Sequence, residues 1–242
     1  MSEAEKGLKH EFVGMMFAVT VGEIGIKAAD VIRFGNFSDH IPAYTHLVLS
    51  LVLVALSWVG WTKSRSPGAQ SDVIGIFDKA FLILLVDVLL VICYFILVRF
   101  SDFVQEGAAP KYEPSAAPEC QWICVIFGIY ILWDLLTKSK KGMDKDAMIR
   151  AIYRTLVTVI CFSISFLIMR MYSNVQVSNI PAVDFALISL LFLFRAGKSL
   201  VSFRMPEVQT IQPHWDRGYL KWSIALILII VGLLAQTKEM QF

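Results

Sequence analysis

Runs of apolar residues, each close to the roughly 20 needed to cross a bilayer as a helix, recur seven times along the chain and alternate with short polar stretches. They cover 12–32, 41–61, 74–98, 121–136, 149–171, 182–194 and 220–235, the fourth and sixth being the shortest. The pattern predicts an all-α fold, a polytopic transmembrane helical bundle of about seven spans. The polar connections are too short for a separate soluble domain of about 50 residues or more, so 1–242 reads as one transmembrane domain.

Composition agrees. Hydrophobic residues make up 57% and charged residues 17% of the 242 positions, a balance that would leave a soluble chain with too much exposed apolar surface. The first apolar run is interrupted by Glu23 and Lys27 and lacks a small-residue cleavage pattern, so it reads as a retained span rather than a removed signal.

Basic residues set the expected orientation, because Lys and Arg collect in cytoplasmic loops beside the spans. Lys6 and Lys9 precede the first span, Lys63 and Arg65 follow the second, and Lys138, Lys140, Lys141 and Lys145 follow the fourth. Arg195, Lys198, Arg204 and Arg217 lie between the sixth and seventh. The loops between these clusters are poor in Lys and Arg, which predicts a cytoplasmic N-terminus and an extracytoplasmic C-terminus. On this reading 101–119, with Pro110, Pro114 and Pro118, is an irregular extracytoplasmic loop and 196–217 is a cytoplasmic connection. Trp58, Trp61, Trp133, Trp215, Tyr219 and Trp222 would mark the inner interface and Tyr44, Trp122 and Tyr172 the outer one.

The candidate chemistry lies inside the apolar runs. Glu23, Lys27 and Asp30 are spaced i, i+4 and i+7, so they share one face of the first helix. Asp87 stands among Leu84, Leu85, Val86, Val88, Leu89 and Leu90 and needs a partner, a proton or water. Lys27 is the expected counter-charge of Asp87, and Tyr44 and His46 would extend the network outward. The same residues support two readings: a buried polar network that fixes helix packing, and an ion or proton pathway. Asp134 is expected to pair with Lys138 at i+4, and Arg150, Arg154 and Arg170 to reach the interfaces.

Several classes are excluded. Four cysteines and four histidines in scattered segments make no metal site and no haem site, and no cofactor is expected. A bridge between Cys93 and Cys120 is the one disulfide that an outer location would allow. No Ser-His-Asp arrangement, HExxH or phosphate-binding glycine loop occurs, which argues against an enzyme. The net charge of +2 is accounted for by topology, and no nucleic-acid module is present.

The segment 33–39 reads Arg-Phe-Gly-Asn-Phe-Ser-Asp and is similar to the Arg-x-x-x-Phe-Ser-Asp signature of a potassium-channel family found in bacteria and lysosomes. In that family the motif opens the first pore-lining helix on the cytoplasmic side. Here a full span precedes it, loop charge places it outside, and His40, Ile41 and Pro42 follow it, so no residue roles carry over.

The leading expectation is an ion-conducting channel or proton pathway, formed as a homo-oligomer in the lipid bilayer, in the plasma membrane if the source is bacterial. The alternative is a membrane scaffold or sensor subunit, as in a bacterial defence or stress system. Its Lys138, Lys140, Lys141, Lys145 and Arg204 would then meet a cytoplasmic protein partner or anionic lipid. A small secondary transporter is the third.

Overall fold

The computed structural model describes residues 3–34, 40–64, 79–100, 103–106, 109–112, 116–138, 145–172 and 179–204. Six of its helices are long and apolar enough to cross a membrane, which makes this a multi-pass membrane protein. The expected seventh run, 220–235, lies outside the described residues, as do 35–39, most of the channel-like motif, and Lys140 and Lys141.

Two compact units divide the chain, Met1–Ser115 and Ala116–Phe242. The first holds α1 (Glu3–Phe34), α2 (Ile41–Ser64) and α3 (Lys79–Arg99), each packed on the other two. It also holds a short antiparallel hairpin of β1 (Phe103–Glu106) and β2 (Ala109–Tyr112), with Phe103 opposite Tyr112 and Glu106 opposite Ala109. The hairpin replaces the irregular conformation expected of 101–119.

The second unit holds α4 (Ala116–Lys138), α5 (Lys145–Tyr172) and α6 (Ile180–Arg204). The fourth and sixth runs, which looked short, are therefore full-length helices of 23 and 25 residues. Apolar counting stops at Glu119 and at Arg195, whereas the helices run through them. Proline marks the entry rather than the end of these helices. Pro118 and Pro181, like Pro42 in α2, stand in the first turn, where the missing N–H has no intrahelical acceptor to lose and the fixed φ suits a helix. The connection expected at 196–217 likewise begins later, since α6 continues to Arg204.

The first unit is cored by Val13, Phe17, Leu49, Leu53, Tyr94 and Leu97, all buried. Phe17 meets Trp58 edge-on at 5.1 Å and Tyr94 at 6.0 Å, and Trp58 stacks on Trp61 at 5.6 Å. In the second unit Ile123, Ile126, Phe127, Leu187 and Leu190 are buried. Along α5 the outward positions Ile152, Leu156, Ile160, Phe166 and Leu167 are exposed. Acyl chains solvate such a surface without the penalty that water would impose. All four cysteines are buried free thiols, so the bridge allowed between Cys93 and Cys120 is not formed.

Candidate functional site

Within the second unit α4 and α6 run in the same direction, and two polar layers join them. At one end the carboxylates of Glu119 and Asp184 have oxygens within 4.8 Å of each other, and both residues are 0% exposed. At the other end Lys198 Nζ donates to Asp134 Oδ1 at 3.1 Å and Oδ2 at 3.0 Å. Glu119 and Asp134 are 15 residues apart on α4, and Asp184 and Lys198 are 14 apart on α6. At about 1.5 Å per residue the layers lie roughly 21 Å apart, most of the thickness of a hydrocarbon core.

The Asp134 layer draws on three helices. Thr158 of α5 donates its hydroxyl proton to Asp134 Oδ2, and the same hydroxyl lies 3.1 Å from the Arg154 carbonyl. Lys198 Nζ also sits 4.5 Å from the centre of the Phe194 ring, a favourable placement for a cation over an aromatic face. Asp134 is 0% exposed, so the desolvation of its charge is offset by a direct counter-ion and a hydroxyl donor.

Between the layers the seam is apolar with a sparse polar edge. Phe194 stacks on Tyr130 and meets Phe127 edge-on, each at 5.3 Å between centroids. The buried face of α5 presents Thr158, Cys161 and Ser165 at i, i+3 and i+7. Ser189 of α6 is buried as well. Ser165 and Ser189 return hydrogen bonds to the carbonyls of Phe162 (2.8 Å) and Phe185 (2.7 Å) of their own helices.

Two carboxylates within 4.8 Å in a dry interior repel by at least about 3 kcal/mol at an effective dielectric near 20. Glu119 and Asp184 therefore need a proton or a positive charge in their company. The Asp134 layer carries its own positive charge. Chemically the seam offers a carboxylate pair that could share a proton or a cation at one end, an ion pair at the other, and small hydroxyl and thiol groups between.

The residues singled out from the sequence lie in the first unit and behave differently. Glu23 pairs with Arg99 of α3, Oε1 to Nε 3.1 Å, with the Glu23 side chain 13% and the Arg99 side chain 50% exposed. Arg99 also lies 5.6 Å from the Phe95 ring centre. This pair fixes the register of α1 and α3 as parallel, and the groove in which Met16 and Thr20 face Val91 and Phe95 agrees with it. Lys27 lies one turn beyond Glu23, and Asp87 lies just over three turns back from Arg99, so the two are separated along the bundle by roughly 24 Å. The expected Lys27–Asp87 pair is not made. Asp87 is buried, and Lys27 and Asp30 are half-buried on α1.

His46 is buried and its Nε2 donates to the carbonyl of Leu97 at 2.9 Å, joining α2 to α3; Tyr44, two residues after Pro42 in the first turn of α2, is half-buried. Asp134 pairs with Lys198, 64 residues away; the side chain of Lys138, its expected partner at i+4, lies outside the described residues. Lys145 is exposed at the start of α5, while Lys138 and Arg204 close α4 and α6.

Sequence reading missed Asp184 and gave Glu119 and Lys198 to loops. Asp184 carried a signal, being the one charged residue in the run 182–194. No protein family, curated protein or solved structure matches this chain.

Proposed function

We propose that this protein is a membrane ion pathway that moves protons, with the seam between α4 and α6 as its route. The observation that carries the reading is the pair of buried acidic stations, Glu119 with Asp184 and Asp134 with Lys198, stacked on one seam at opposite ends of a span. Charged groups in the hydrocarbon region are costly to retain and commonly mark ion or proton routes. The accompanying hydroxyls of Thr158, Ser165 and Ser189 are of the kind that relay protons over short hops.

With this reading goes the topology that loop charge predicts, seven spans with a cytoplasmic N-terminus and an extracytoplasmic C-terminus, in the plasma membrane if the source is bacterial. Proton flux into dye-loaded proteoliposomes tests the function, comparing the unaltered protein with Asp184→Asn and Asp134→Asn. Flux that falls in both variants, with folding intact, supports the seam. Absence of flux from well-folded unaltered protein removes the reading and favours a scaffold role.

A further inference from the structure

The Asp134 station has the geometry of a cation site that is already filled. Both carboxylate oxygens converge on one positive centre at 3.1 and 3.0 Å, Thr158 contributes a hydroxyl on the same carboxylate, and the Phe194 ring closes one side at 4.5 Å. That centre is the ammonium of Lys198, delivered from the last turns of α6. We propose that Lys198 is a tethered occupant of a monovalent-cation site at Asp134, and that its ammonium keeps free alkali cations out.

The physical case is one of competition for a single carboxylate. A buried Asp134 has to hold a positive charge, and the tethered ammonium is present at a far higher effective concentration than any dissolved ion. A compact ammonium with three donors can be replaced by a small cation, because each presents one centre of positive charge to the same oxygens. Arg154 and Arg195 add positive charge around Lys198, which further disfavours entry of a second cation while the ammonium is in place. The cation site itself stands on this geometry alone. Its consequence for transport, that protons pass this station and alkali ions do not, rests on the proposed pathway.

The test is a binding measurement on the full chain that needs no flux. Thermal unfolding is followed at constant ionic strength in NaCl, LiCl, KCl and N-methylglucamine chloride for the unaltered protein, Lys198→Met and Asp134→Asn/Lys198→Met. The expected result is a saturable upward shift in Tm with Na⁺ or Li⁺ for Lys198→Met alone, with the unaltered protein and the double variant unaffected. An equal Tm for Lys198→Met in all four salts overturns the proposal. So does failure of Lys198→Met to fold in every salt, because a vacated site would refill from the metal cations. A cation-dependent shift that persists in the double variant also overturns it, since Asp134 would then not be the ligand.

Discussion

Gly197 of α6 stands against Val157 of α5 so closely that a Cβ at position 197 would lie 2.9 Å from Val157 Cγ1. This approach sits one residue from both Lys198 and Thr158, so it sets how near those two side chains come to Asp134. Valine is stiff about χ1 and gives way poorly. Gly197→Ala is expected to destabilise by about 1–3 kcal/mol through overpacking. Val157→Ala should restore much of that loss in the double variant, by equilibrium unfolding in detergent micelles. Additive losses would show that the contact is not the cause.

Replacing one carboxylate of the Glu119–Asp184 pair by its amide removes the repulsion that two ionised groups at this distance would exert. Asp184→Asn should leave Tm unchanged or raised, while Asp184→Leu, which also deletes the side chain's hydrogen-bonding capacity in a buried site, should lower it. If the pathway reading holds, both variants lose proton flux. A marked fall in Tm for Asp184→Asn would mean that the ionised carboxylate is itself a structural anchor.

Thr158 can be tested by isosteres. Thr158→Val removes the donor to a buried carboxylate and is expected to cost about 1.5–3 kcal/mol, the range for hydrogen bonds to charged groups, whereas Thr158→Ser should stay near the original stability. Equal losses for the two would assign the effect to packing of the methyl group instead.

Two double-mutant cycles address the register of the first unit. Glu23→Gln with Arg99→Gln should show a coupling of about 0.5 kcal/mol or more, as contacting charges do, while Lys27→Met with Asp87→Asn should add within about 0.5 kcal/mol, as distant sites do. Strong coupling in the second cycle would contradict the parallel arrangement of α1 and α3.

The helices themselves were legible because burial in lipid demands long apolar runs, and each of the six described spans agrees with its apolar run to within a few residues at one end or the other. Their ends were harder. Proline at 118 read as a loop breaker, although its φ also suits a first helical turn, and only neighbouring geometry separates the two uses. The charged partners were harder still. Asp134 has a lysine one turn away in the chain, and a local rule assigned the pair to Lys138. The pairing with Lys198 depends on how α4 and α6 lie side by side. Asp184 differs: the reasoning that drew attention to Asp87 applied equally to it.

The carbonyl of Leu97 accepts two donors, the Phe100 N–H at 3.1 Å and His46 Nε2 at 2.9 Å. A carbonyl oxygen only accepts, so the imidazole keeps a proton on Nε2 whether the ring is neutral or charged, and any exchange of the other proton takes place at Nδ1. The clasp between α2 and the final turn of α3 therefore holds in either ionisation state. A backbone oxygen of one helix thereby sets the tautomer of a buried ring on another.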